Sequence, residues 1–287
     1  MRTDLSPTLE RILRDTRKEI ESDLGQESLK RVKQKMTDAP PLNSFHRALA
    51  GGNALIAEIK ECSPSQGAMR RENFAEALPA YQKSPVVKAI SVLTSWHHFG
   101  SRMKVTMMQA VKEQAGKPVL RKDFIIDEYQ VYQARAYGAD AILLMANVVT
   151  PEEMKRLSSV AFELGMDVLF ETHKAAEIEM LPENARIVGI NCRNFEGGFL
   201  KNFGFARFVR RFSKTDRSVD LDRFGYVDKV PGHFLKIAES GVSPGNCAKV
   251  MAGGFQAALV GTSLLTDDRG VVAALKDFEV ALRFRGG

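Results

Sequence analysis

The chain has 287 residues, 44% of them hydrophobic, enough apolar material for one large core of the kind that single-domain barrels of roughly 250 residues build. No apolar run nears the roughly 20 residues of a membrane-spanning helix, and Met1–Glu10 lacks the apolar centre of a secretory signal, so the reading is a soluble, cytoplasmic protein without membrane contact. Lys and Arg outnumber Asp and Glu by only 41 to 35, with no nucleic-acid-binding module, and Cys62, Cys192 and Cys247 are too far apart for a CxxC metal or redox site.

Ser6–Leu24 carries apolar residues at helical spacing, and Gln26–Met36 reads as a second helix before Ala39-Pro40-Pro41 breaks the pattern. Residues 1–48 are therefore expected to form a helical extension of one domain covering 1–287. From Leu55 onward, aliphatic runs alternate with helical periodicity: Leu55–Lys60, Ala89–Thr94, Val119–Asp123, Ala141–Met145, Asp167–Glu171, Ile187–Asn191, Leu235–Glu239 and Ala257–Gly261. Eight βα units of this kind predict a parallel (β/α)8 TIM barrel, class α/β. Between them, Glu128–Tyr137 and Glu152–Leu164 are amphipathic; Thr150-Pro151 opens the second, and Gly138 and Gly165 fall where C-caps belong.

Strand starts lie about 20 to 34 residues apart, except between Ile187 and Leu235. After a helical run, Phe203–Phe212, the excess is assigned to Lys214–Gly232, a charged stretch read as an inserted αβ loop at the amino-terminal end of the barrel. A solvated excursion of that kind is expected to be dispensable for catalysis.

Glu58 and Lys60 stand two apart on a strand and so share a face, which at a barrel's strand end is the interior mouth. Lys122, Glu171, Asn191 and Glu239 end four further strands, so barrel closure would bring these polar groups into one pocket, where a lysine among carboxylates suits general acid work. Glu239-Ser240-Gly241 and Gly261-Thr262-Ser263 follow the last two strands, the usual place for a phosphate held by backbone amides. His97-His98 has no third ligand at metal-binding spacing, so no metal is expected.

Ile56-Ala57-Glu58-Ile59-Lys60 followed by Ser63-Pro64-Ser65 resembles the first-strand signature of the indole-3-glycerol-phosphate synthase family. Pro118 to Asp127 (PVLRKDFIID), Gly189-Ile190-Asn191 with Arg193, and Glu239-Ser240-Gly241 resemble its third, sixth and seventh strands. The resemblance implies a cofactor-free conversion of 1-(o-carboxyphenylamino)-1-deoxyribulose 5-phosphate to indole-3-glycerol phosphate in tryptophan biosynthesis. Carried onto this chain, Lys122 would be the general acid at the keto oxygen, Lys60 the partner of the departing carboxylate, and Glu171 the base of the dehydration. Glu58, Asn191 and Ser240 would bind and orient substrate, with Arg193 in support. Phosphate would sit on Gly241, Gly261 and Thr262 with Ser63 nearby, Glu239 would belong to the substrate-binding set, and the aromatic ring would lie against Phe124 and Phe99.

The chain departs from the family in its second βα loop, Thr94-Ser95-Trp96-His97-His98-Phe99-Gly100-Ser101, in Asn194-Phe195, and in the insertion. Two other readings stay open at this point: a diverged barrel acting on a related sugar phosphate, and a catalytically silent binding subunit. The first is opposed by Lys60 and Lys122 together, and the second by the retention of Lys122 and Glu171. Association with other enzymes of the tryptophan pathway is left open by the sequence.

Overall fold

A parallel strand buried on both faces needs apolar residues at nearly every position, and that is how the eight aliphatic runs are used. In the computed structural model, which describes residues 2, 5–63, 67–193 and 219–283, they become β1 (Ala54–Ile59), β2 (Val87–Leu93), β3 (Val119–Lys122), β4 (Ala141–Met145), β5 (Asp167–Thr172), β6 (Ile187–Asn191), β7 (Leu235–Glu239) and β8 (Ala257–Val260). All pair in parallel and close as β1-β8-β7-β6-β5-β4-β3-β2. Every residue of β1, β4, β6 and β8 is buried, one face in the barrel and the other under helices. Among the described residues, no helix is long and apolar enough to cross a membrane.

The N-terminal extension wraps this barrel from mouth to base. Helix α1 (Pro7–Gln26) starts where Ser6 Oγ accepts from Leu9 N (3.4 Å), with Pro7 in the first turn. Its buried stripe, Leu9, Ile12, Leu13, Thr16 and Glu19, has helical spacing and faces the carboxyl ends of the strands. Helix α2 (Leu29–Lys35) lays the Lys33 and Lys35 ammonium groups 4.1 and 3.6 Å from the ring centroids of Tyr132 and Tyr137. The chain then runs to the opposite end, where Asn43 N donates to Asp140 Oδ1 (2.7 Å), just ahead of β4, and His46 N to Asp167 Oδ2 (3.0 Å), at the first residue of β5. Asp140 is itself buried against Lys112 at 2.7 Å.

The expectation for 214–232 needs correction. Phe203–Phe212 and residues 214–218 lie outside the described residues, but the remainder is not a solvated connection at the barrel's amino-terminal end. The described chain stops at Arg193 and resumes at Val219, and these two are bridged to each other beside the carboxyl mouth, with Asp220 N donating to Cys192 O (2.8 Å). A 3-10 helix, Leu221–Lys229, follows, capped by Asp220. Leu221, Phe224, Val227 and Val230 recur every third residue, the 3-10 period, so one edge is apolar despite the intervening Asp and Arg. Val227 and Val230 are buried, and the Phe224 ring lies 5.1 Å from that of Phe255.

Candidate active site

Because side chains alternate along each strand, one set of strand-end residues points into the barrel mouth. There they line a cavity of about 460 Å³. Apart from Ser63, every residue that the sequence suggested for the site lines it. Ser63 lies on a two-residue ribbon strand, Cys62–Ser63, paired with Gly67–Ala68; its side chain is outside the described residues.

The cavity holds two charged groupings. Lys60 Nζ donates to Glu58 Oε1 (2.5 Å) and to Thr262 Oγ1 (3.3 Å), linking β1 to the turn after β8. Across the mouth, Lys122 Nζ lies 3.5 Å from Glu171 Oε2 and 3.9 Å from Glu239 Oε2. Burial pushes the Lys122 ammonium down, but Glu171, Glu239 and Glu58 outweigh it and raise it above the ordinary lysine value. Lys122 therefore carries its proton throughout the neutral range.

Glu171 and Glu239 have the same side chain at the same kind of position and titrate apart. Burial raises Glu171, but Lys122 and His173 outweigh it and hold the carboxyl below its usual range. Burial and the neighbouring Glu171 push Glu239 well above it, so of the two carboxyls Glu239 holds its proton to the higher pH. His173 Nε2 lies 3.3 Å from Glu171 Oε1; burial lowers the imidazole below its usual value, leaving it neutral.

A consequence can be measured. In the unfolded chain Glu239 ionises near pH 4.5, whereas the folded site retains the proton to higher pH. Between those two points the unfolded state binds fewer protons, so stability falls as pH rises. Glu239→Gln removes this loss and is expected to raise the unfolding midpoint above pH 4.5, with a gain that widens in thermal melts as pH rises from there toward the raised folded-state value. A gain that is absent, or that shrinks over this range, would contradict the protonation assigned to Glu239.

Glycines make room for the carboxylates. A β-carbon at Gly189 would collide with Glu239 Oε1 and approach Leu169, and one at Gly261 would collide with Glu58 Oε1. Gly189→Ala is expected to displace Glu239 and lower kcat at least about 10-fold while the barrel still melts cooperatively, since misplacement by about 1 Å can cost 10²-fold. Unchanged kinetics would show that Glu239 relaxes freely. Ser240 and Gly241 both lie in the left-handed region, at φ +66° and +80°. A non-glycine residue holds that conformation at a cost of about 1 kcal/mol or more, commonly where backbone meets a ligand.

Sequence reasoning missed several walls of the cavity: Ile12 from α1, His98 from the second βα loop, and Val219 and Leu221 from the stretch read as an insertion. The apolar stripe of α1 and the three-residue repeat after 219 were available signals. His98 and its neighbours are tied to α1: Glu19 Oε1 accepts from His97 N (3.0 Å) and Ser95 Oγ (3.2 Å) and lies 2.8 Å from His97 Nδ1.

A sequence model of the indole-3-glycerol phosphate synthase family matches residues 9–201. The indole-3-glycerol phosphate synthase of Paenarthrobacter aurescens (strain TC1) is 34% identical over 270 residues, spanning 90% of this chain and 91% of the relative. This chain belongs to that family. The family's enzyme from Bacteroides thetaiotaomicron is 31% identical over 259 residues, covering 90% of this chain and 92% of the relative. That from Streptomyces griseus subsp. griseus is 34% identical over 273 residues, covering 93% and 94%. Among solved structures, 3-hexulose-6-phosphate synthase from Salmonella typhimurium superposes with a TM-score of 0.58 at 16% identity, over 80% of this chain and 99% of that one. At that identity it bears on the fold alone. Family membership makes the chain an enzyme of that class, a decarboxylating carbon-carbon lyase.

Proposed function

We propose that this chain converts 1-(o-carboxyphenylamino)-1-deoxyribulose 5-phosphate to indole-3-glycerol phosphate, carbon dioxide and water, in the cytoplasm. The observation that carries the reading is the meeting of a protonated Lys122 with an ionised Glu171 across the mouth from the Lys60–Glu58 pair. The turns at Gly241 and at Gly261-Thr262 hold the phosphate, and Phe124 and Phe99 flank the aromatic ring.

In the first step the ring carbon bearing the carboxylate attacks the keto carbon, and Lys122 donates a proton to the oxygen as the carbon-carbon bond forms. Lys60, paired with the carboxylate, holds it until the carbon-carbon bond to it breaks; the electrons return to the ring system and carbon dioxide leaves. Glu171 then takes a proton from the carbon next to nitrogen while the Lys60 ammonium gives one to the new hydroxyl, which departs as water to leave the indole, and solvent returns both groups to their starting protonation. Asn191, Ser240 and Glu58 orient the chain of the substrate, and Arg193 supports Asn191, whose Oδ1 accepts from Arg193 N (2.8 Å). The sequence balances without an external oxidant or reductant.

Incubating the purified chain with this substrate and no added cofactor is expected to give indole fluorescence with one carbon dioxide per product. Absence of both, with a folded protein, would overturn the reading.

A further inference from the structure

We infer that Arg121 is a positioning residue for the proposed reaction, a buried guanidinium that fixes Lys122 and Phe124 against the second βα turn and the N-terminal extension. The inference rests on the function proposed above. On β3, alternation turns Lys122 into the mouth and Arg121 outward, under the helix Glu128–Ala136, where a barrel ordinarily places an apolar residue. Arg121 is only 3% exposed and spends its donors on three different elements. Nε donates to Thr94 Oγ1 (3.0 Å), Nη1 to Gln130 O (2.8 Å) and Gln133 Oε1 (2.9 Å), and Nη2 to Asp123 Oδ2 (3.0 Å).

Those partners hold the segment that carries the chemistry. Thr94 Oγ1 donates to Asp123 Oδ2 (2.6 Å), Asp123 Oδ1 accepts from Phe124 N (2.8 Å), and Gln130 Nε2 donates to Phe124 O (3.1 Å). The peptide groups on both sides of Phe124 are thus pinned two residues beyond Lys122. Gln133 Nε2 donates in turn to Asp23 Oδ2 of α1 (2.9 Å), joining the extension to the same unit.

Burying an Arg–Asp pair in place of a well-packed apolar pair brings no dependable gain in stability. What it supplies is geometry, because a planar fork reaches diverging acceptors that a lysine cannot serve together. Neither Arg121 nor Thr94 lines the cavity, so their effect must pass through Lys122 and Phe124.

The test is kinetics on Arg121→Lys, Thr94→Val and the double variant, with melting curves and the concentration of folded protein measured for each. Arg121→Lys is expected to lower kcat at least about 10-fold with KM within about threefold, since proton transfer is sensitive to placement while substrate binding is spread over the cavity. Thr94→Val should shift kcat the same way by less, and the double variant should lose no more than Arg121→Lys alone, as members of one unit do. A folded Arg121→Lys with kcat within twofold of the parent overturns the inference, as do losses that multiply independently. If Arg121→Lys does not fold, Thr94→Val decides: a kcat unchanged by it overturns the inference, and a selective kcat loss upholds it. A folded parent chain that makes no product overturns the functional reading instead, and the inference falls with it.

Discussion

Replacing Lys122 with methionine is expected to lower kcat by about 10²-fold or more while leaving the barrel folded, the size of effect that a positioned general acid supplies. The side chain sits in the mouth and not in the apolar core, so the loss is chemical. Lys122 lies within 4 Å of Glu171 and Glu239, which answer removal of its charge by taking up protons more readily. Lys122→Arg separates two explanations. It keeps the positive charge beside the carboxylates but does not release a proton at accessible pH, so it should fold like the parent and remain nearly as inactive as the methionine variant. Steady-state indole fluorescence on both variants, with melting curves, checks this. If Lys122→Arg retains kcat within a few-fold, the residue acts by electrostatics alone and the proton donor lies elsewhere.

Replacing residues 219–230 by a short glycine linker is expected to destroy the fold, an outcome opposite to the one that composition suggests for this stretch. Val227 and Val230 are 5% and 2% exposed, Phe224 packs on Phe255, and Lys236 Nζ donates to Val227 O (3.2 Å). At about 1.5–3 kcal/mol for each large apolar side chain fully buried, the two valines alone account for roughly 3–6 kcal/mol, and the half-buried Phe224 adds a further part. A whole domain is stable by only about 5–15 kcal/mol. Shortening a loop recovers about 0.6 kcal/mol per halving, far too little to compensate. Soluble yield and a thermal melt decide the matter. A deletion that melts cooperatively and turns over substrate at the parent rate would show that this packing is dispensable.

The contrast between these two cases explains how much could be read in advance. Glu58, Lys60, Lys122, Glu171, Asn191 and Glu239 were legible because each ends an aliphatic run, and a charge at that place in a parallel barrel has only the mouth to face. Residues 219–230 were misread because their Asp and Arg residues dominate the composition, while the apolar positions follow a period of three that is read neither as helix nor as strand. Arg121 was invisible as a functional residue. Its partners Thr94, Gln133 and, through Gln133, Asp23 come from three separate stretches of chain, and only folding brings them within hydrogen-bond distance.

Order of elements and strand-end chemistry are written locally, in the alternation of eight aliphatic runs with helical segments and in the polar residue that closes each run. Local sequence therefore determined the barrel, the converging lysines and carboxylates, and the resemblance that names the family. The tertiary structure decided what depends on groups distant in the chain: the walls formed by Ile12, Val219 and Leu221, the need for a bare α-carbon at Gly189, and the division of protons between Glu171 and Glu239. The last has the plainest physical reason. Two identical side chains acquire different affinities for a proton only from burial and from the charges around them, and those fields exist only once the strands have closed.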